Sequence, residues 1–504
     1  MRSKQAFKNM AANLALQVIV LLTGIILPRF FMEAYGSSVN GMITSVNQFL
    51  AYLGLAEAGV GTASIVALYG PLANNREKEV NAILSATRKY YNRSGIIFLT
   101  LVIFLTFLYP FFISGQLDSR LVRGMVIVLA SSTLVDYFFL GKYRVLLSAN
   151  QEGYVVALVQ AAGTLINTVV SIFLIWKGTN VVFVKAVATG VYMLRLLIIR
   201  AYVRRKYPCV NYRAEPNDNA LNQKGAALLH QVVGMIVNNT DVVMLTICLG
   251  RRSLLEVSVY GIYNLVVYAV NMLLTSFSNG LSAGFGEVIS KGEKETLNRS
   301  YSSYEYMYFI IFFIVIACMG VLILPFVSVY TIQMTDVNYI RPLAAMLFTS
   351  IVFLQNIRIP GMTIICAAGH FRETRGQAIL EAVINIVVSI ILVWPFGMIG
   401  VLIGTVCSYG YRSLEIIVYN AKHLVQGTLR KTMSRLIRNI IVTVVLVVLG
   451  LNVVSQMMTS FVTWFMYAII IGGVCSIVIV VVNFVAEPEE FCNLFKRVRQ
   501  VIKK

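Results

Sequence analysis

Polar and ionisable residues interrupt several long apolar stretches of this 504-residue chain, and they are where chemistry is possible. The most polar run is Asn238-Asn239-Thr240-Asp241. An ionisable side chain among apolar neighbours costs free energy and defaults to a functional assignment. Here that means ligand contact for Asn238, Asn239 and Asp241, with Asp241 also open to an ion. The competing reading is a helix interruption satisfied by neighbouring backbone. Asp136 and Glu57 are isolated acids in apolar surroundings, each either a coupling-ion or proton site or the partner of a buried arginine. Glu381 is a further ion-site candidate and a counter-charge for a nearby cation.

Four arginines stand out as cations for an anionic ligand. Arg358 precedes Pro360-Gly361, so a helix bend beside it is expected. Arg29 follows Pro28 and fits interfacial anchoring and ligand contact equally. Arg195 and Arg412 lie toward the ends of their apolar runs, where long side chains snorkel to the interface. Arg412 also has Glu415 three residues on, a local ion pair. Lys142 and Arg144 read as interfacial positive charges, with ligand entry the lesser option. His230 reads as packing.

Two polar stripes recur at helical spacing. One holds Asn40, Thr44, Asn47 and Gln48 and continues through Gly54, Ala58 and Gly61; the other holds Asn264, Tyr268, Asn271, Thr275, Ser278 and Ser282. They either line a cavity, with Asn47, Asn264 and Asn271 as ligand contacts, or pack helix against helix as small and polar residues do in membranes. No nucleophile motif, phosphate-binding loop or paired-aspartate metal motif is present, and the seven cysteines show no paired spacing. Neither an enzyme nor a cofactor or metal is expected.

The elements that position these residues are membrane helices. The chain is 58% hydrophobic with a mean hydropathy of +0.77 and only 13% charged residues, against about 25% for soluble domains. Its net charge of +20 sits mostly in short loops between apolar runs, which argues against nucleic acid as a partner. The fold class expected is an all-α polytopic membrane protein of about 14 transmembrane helices. Spans are expected near 11–31, 40–69, 92–114, 121–148, 153–176, 181–200, 225–249, 256–286, 303–330, 341–367, 374–394, 397–420, 434–455 and 462–485. The first is read as an uncleaved span. Lys and Arg favour alternate loops by roughly four to one, which puts both termini in the cytoplasm.

The chain also repeats itself. Leu165-Ile-Asn-Thr-Val-Val-Ser-Ile-Phe-Leu-Ile-Trp176 returns as Val383-Ile-Asn-Ile-Val-Val-Ser-Ile-Ile-Leu-Val-Trp394, Arg76-Glu-Lys-Glu79 as Gly292-Glu-Lys-Glu295, and Arg195 as Arg412. Two parallel six-helix lobes are expected, 1–200 and 225–421, joined by a basic cytoplasmic linker at 201–224. Two further helices at 434–485 and a basic tail at 486–504 follow. In parallel repeats of this kind the substrate usually sits between the halves.

Several segments resemble bacterial polysaccharide repeat-unit flippases (Wzx-like) of the MOP superfamily. They are Ser3-Lys-Gln-Ala-Phe-Lys-Asn9, Ala34-Tyr-Gly-Ser-Ser-Val-Asn-Gly-Met42, Leu53-Gly-Leu-Ala-Glu-Ala-Gly-Val-Gly-Thr62 and Asn238-Asn-Thr-Asp241. The resemblance implies transfer of undecaprenyl-diphosphate-linked oligosaccharide across the bacterial cytoplasmic membrane by alternating access. It implies lipid-linked oligosaccharide and membrane lipids as partners, with a polymerase and other glycan-assembly proteins beside them. Lipid II flippases and multidrug (MATE-type) exporters of the same superfamily are the alternatives. The exporters often carry an acid in the first span, and Ala11–Phe31 has none. A glycan polymerase or ligase would need a larger external loop than the roughly ten residues available.

Overall fold

The computed structural model describes residues 2–57, 60–113, 115–217, 234–235, 239–278, 281–370, 372–454 and 458–492. Asn238, His230 and the basic tail beyond 492 lie outside the described residues. Every regular element among the described residues is helical. Where water is absent, only intra-segment hydrogen bonding satisfies the backbone of a single crossing, so long apolar runs become helices. Twelve helical stretches are long and apolar enough to cross a membrane, and the chain is a multi-pass membrane protein. Two shorter apolar helices, Val60–Ala73 and Asn239–Cys248, stand where the second and seventh spans were expected. Large apolar side chains face outward throughout, Phe104, Phe107 and Phe111 among them, because lipid rather than water is the solvent.

Residues Met1–Ser258 form one compact unit and Val259–Lys504 a second. The first holds α1 (Arg2–Tyr35), α2 (Ser37–Leu53), α3 (Val60–Ala73), α4 (Glu77–Phe112), α5 (Ser119–Val135), α6 (Gly141–Ala149), α7 (Gly153–Trp176), α8 (Val181–Lys206) and α9 (Asn239–Cys248). Its core runs through Tyr91, Phe98, Tyr109, Val122, Met125 and Leu146.

The expected single span at 40–69 is instead broken. After Leu53 the chain tightens into a 3-10 turn, Gly54–Glu57, before α3. Gly54 weakens the α-helix here, and its carbonyl accepts a hydrogen bond from the Tyr137 hydroxyl at 2.9 Å. α5 and α6 are likewise joined by a π-turn, Asp136–Leu140.

The boundary between the units falls within α10 (Ser253–Ser278), whose first turn packs in the first unit. A methyl group added at Gly41 would lie 1.8 Å from the Leu254 carbonyl oxygen. Backbone on both sides cannot yield, so Gly41→Ala is expected to destabilise the purified protein by at least about 1–3 kcal/mol. An unchanged thermal midpoint would contradict this close approach.

The second unit continues with α11 (Leu281–Ser290), α12 (Lys294–Tyr330), α13 (Pro342–Ile357), α14 (Ile359–Ala368), α15 (Arg375–Phe396), α16 (Met398–His423), α17 (Leu429–Val453) and α18 (Phe461–Ala486). α15 and α16 pack with near-touching backbones. Gly400 and Gly404 leave room for the Leu392 carbonyl and the Ser389 hydroxyl, where a Cβ would approach to 2.0 and 2.2 Å. Small residues allow this approach and so give membrane helices their packing energy.

α17 and α18 are tied to α12 by charge. Arg435, 1% exposed, donates from Nη1 to Glu305 Oε2 at 3.1 Å and from Nη2 to Glu487 Oε2 at 2.6 Å. Arg438 donates to Asn483 Oδ1 and Glu487 Oε1, at 2.6 and 3.0 Å. Arg435 and Arg438 count as positive-inside residues in the sequence; the fold uses them as internal ties. Burial alone would raise the Glu487 carboxyl, but its bonds to Arg435 and Arg438 outweigh burial and hold it below the usual glutamate range. Its stabilising share is therefore present at neutral pH and lost as pH falls through that lowered value.

Candidate functional site

In the first unit, the broken second span, α4, the α5–α6 junction and α9 enclose a cavity of about 720 Å³. Glu57, Tyr91, Tyr137, Arg144 and Asn239 line it together with glycines, small residues and apolar side chains such as Leu55 and Ile65. Arg144 is the hub. Its Nη2 lies 3.3 Å from Glu57 Oε1 and its Nη1 3.0 Å from Asp136 Oδ2. The arginine side chain is 39% exposed, whereas Asp136 is 13% and Glu57 20% exposed. A cation facing open space and two enclosed acids share one network. The other Asp136 oxygen, Oδ1, is buried without a hydrogen-bond partner among the described residues.

The π-turn makes this arrangement possible. Asp136 and Arg144 are eight positions apart, which a regular helix would turn roughly 80° out of register. One residue absorbed by the π-turn leaves them effectively seven apart, nearly two full turns and on one face. Reading Lys142 and Arg144 alike as interfacial positive charges is therefore corrected for Arg144: it is the ion partner of Glu57 and Asp136.

On the edge of the same cavity, Gln48 Nε2 donates to Asn239 Oδ1, and Asn239 Nδ2 donates to the Met235 carbonyl at 3.1 Å. Tyr52 bonds the Thr240 hydroxyl at 2.9 Å, and Asp241 is buried. α2 thus meets α9 and the first turns of α10 as well as the cavity: Asn40 donates to Ser258 Oγ on α10, and Ser45 shares a hydrogen bond with Thr246 on α9. Asn47 is exposed.

The second unit carries its own cluster. Arg358 sits at the break between α13 and α14, where the Pro360-Gly361 bend was expected. Its Nη1 donates to Glu381 Oε1 at 2.6 Å, and its guanidinium lies 4.7 Å from the Tyr409 ring. Arg412 Nε is 3.6 Å from Glu381 Oε2, and its Nη1 is paired with Glu415. Arg412 is 4% exposed and so does not snorkel. Glu381 counters two arginines at once. Beside them, Asn271 donates to Gln355 Oε1 at 2.8 Å and accepts from Asn356 Nδ2 at 2.6 Å. Asn264 is exposed on α10.

Arg195 and Arg412 occupy repeat-equivalent positions on α8 and α16, and the residues facing them differ. Where Arg412 meets Glu381, Arg195 crosses Gly163, whose Cβ would lie 2.1 Å from its Nε. Arg195 Nη2 donates to Thr164 Oγ1 at 3.0 Å, and its Nε is buried without a hydrogen-bond partner among the described residues. Arg29 pairs with Glu33 one turn on, at 2.8 Å. Among the described residues no cluster of three or more His, Cys, Asp or Glu has metal-binding proximity.

No family model matches this sequence, and no curated protein matches it significantly. Solved structures do match. A multidrug resistance MATE family transporter of the MOP superfamily, in an inward-facing conformation, aligns with a TM-score of 0.66 at 16% identity, covering 85% of this chain and 99% of its own. The lipid II flippase MurJ, in an inward closed conformation, aligns at 0.65 and 14% identity, covering 94% and 99%. The eukaryotic MATE transporter AtDTX14 aligns at 0.55 and 14% identity, covering 86% and 99%. The chain has the fold of MOP-superfamily transporters.

Proposed function

We propose that this protein is a flippase that moves undecaprenyl-diphosphate-linked oligosaccharide repeat units from the inner to the outer leaflet of a bacterial cytoplasmic membrane. One observation carries the choice within the superfamily. The lipid II flippase accounts for 94% of the chain, whereas the two MATE transporters account for 85% and 86%. The 6% left unmatched is less than α17 and α18 occupy with their 25 and 26 residues, so part of that pair has a counterpart in the lipid II flippase.

The chemistry agrees with the reading. A diphosphate leaves water only against cations, and the candidates within helices are Arg29, Arg195, Arg358 and Arg412, with Arg144 now added. Among them Arg195 has no carboxylate in contact among the described residues and Arg144 is partly open to a cavity. Outward movement of about two negative charges across ~100 mV, inside negative, gains roughly 4–5 kcal/mol. Glu57, Asp136, Asp241 and Glu381 are then the groups through which an ion or proton couples to the cycle, and the domain plan is the two lobes with the 201–224 linker.

The test is lipid extraction after deletion. Accumulation of an undecaprenyl-diphosphate oligosaccharide in the inner leaflet supports the reading. Accumulation of lipid II makes this the lipid II flippase of its cell. A cysteine at Gly397 should label from outside intact cells and one at Lys294 should not; the reverse pattern overturns the orientation.

A second reading has its own support. Glu57 in the first-unit cavity and Asp136 behind it face one arginine, a balance suited to a cationic drug. Loss of drug resistance on deletion, with every glycan lipid normal, would favour that exporter.

A further inference from the structure

The first unit has a second cavity, of about 700 Å³, outside the site described above. It lies along the basic end of α4, and residues 207–217 fold back to form part of it. That segment is built onto the helix by hydrogen bonds. Asn81 receives the Asn211 amide at 2.9 Å, Ser85 Oγ donates to the Ala214 carbonyl at 2.6 Å, and the Asn217 amide donates to the Ala82 carbonyl at 3.3 Å. Arg88 donates to the Tyr212 carbonyl at 3.5 Å. The Tyr212 ring packs edge-on against Tyr143, and Lys142 stands 5.6 Å over it.

Four cations line this groove, Arg88, Lys89, Arg93 and Arg213, and among the described residues that line it none is acidic. Its other end is lined by Ile96 and Ile97, which are 59% and 44% exposed. One helical turn, about 5–6 Å, separates Arg93 from Ile97. The groove therefore offers positive charge and apolar surface to a single amphiphile. It lies where charge gives way to hydrocarbon-facing residues along α4.

We infer that this groove holds the headgroup of an anionic glycerophospholipid of the diphosphatidylglycerol class. Two phosphates suit a groove whose charge is positive, with Arg93 and Arg213 at its lining, and the acyl chains continue along Ile96, Ile97 and the exposed apolar residues beyond them. Basic pockets at this level of a membrane protein recognise such headgroups. A free phosphate would leave the isoleucines unused. The site is independent of which substrate the protein moves.

The test titrates the purified full-length protein in mild detergent with tetraoleoyl diphosphatidylglycerol, reading affinity and thermal midpoint. Arg93→Gln/Arg213→Gln should bind at least tenfold more weakly and lose the lipid-induced rise in midpoint. Arg204→Gln/Arg205→Gln, on the basic end of α8 and outside the groove, should behave as wild type. If the double variant is poorly folded, Arg213→Gln alone, on an exposed residue, should still weaken binding several-fold. Equal weakening by the α8 pair, or equal binding of phosphatidylcholine, would overturn the proposal. So would displacement of the lipid by millimolar inorganic phosphate, which marks a free-ion site. A polyprenyl diphosphate that binds more tightly than the phospholipid would make the groove a substrate station, again against the proposal.

Discussion

Glu381→Leu is expected to destabilise the folded protein by about 3–5 kcal/mol, the cost of leaving buried charge without its partner. Glu381 accepts from Arg358 at 2.6 Å and lies 3.6 Å from Arg412, and the three side chains are between 5% and 14% exposed. Without Glu381, Arg358 is left with no carboxylate in contact among the described residues, and Arg412 loses one of its two. Arg412 keeps Glu415; among the described residues Arg358 keeps its face against Tyr409. The measurement is the thermal midpoint and monodisperse yield of the detergent-purified protein. Arg358→Met/Glu381→Leu/Arg412→Leu should recover much of the lost stability, because a buried ion network and a well-packed apolar core of similar volume are often comparable. It should not recover export. A single Glu381→Leu variant that melts like wild type would mean the arginines have other counter-charges. On the proposed function, export by the triple variant would mean that the cluster does not hold substrate.

The second large effect is expected at Arg144. Arg144→Met leaves Glu57 and Asp136 without the cation they share. Because Arg144 is 39% exposed to the cavity, water can replace part of its role in stability. The loss should therefore fall on transport more than on folding. Export per molecule of membrane-inserted protein should drop at least tenfold, about 1.4 kcal/mol or more, with yield near wild type. Arg144→Lys keeps charge but cannot bridge two acids through separate nitrogens of one plane, so an intermediate level is expected. Full export by Arg144→Met would reduce this network to packing.

Much of the architecture was legible in the chain itself. Long apolar runs have only one way to satisfy their backbone in lipid, so the helices at 153–176 and 375–396 appear close to their expected limits. The bend at Arg358 was legible because Pro360 removes a backbone donor there. Glu381 was legible as a counter-charge, since a buried acid among intramembrane arginines has little else to do. The ties made by Arg435 were not legible. The four cationic residues at the start of α17 look the same whether they face the cytoplasm or an acid on another helix, and Glu305 lies 130 residues from Arg435.

The sequence by itself determined the solvent, the helices, the repeat and the chemical types available at membrane depth, because each of these is a property of consecutive residues. Tertiary structure alone decided who meets whom. A π-turn of five residues brought Arg144 onto the face of Asp136, and a glycine at 163 left Arg195 without the acid that its equivalent, Arg412, finds at Glu381. Charge pairing depends on helix phase to within a fraction of a turn, and phase is set by packing between helices far apart in the chain.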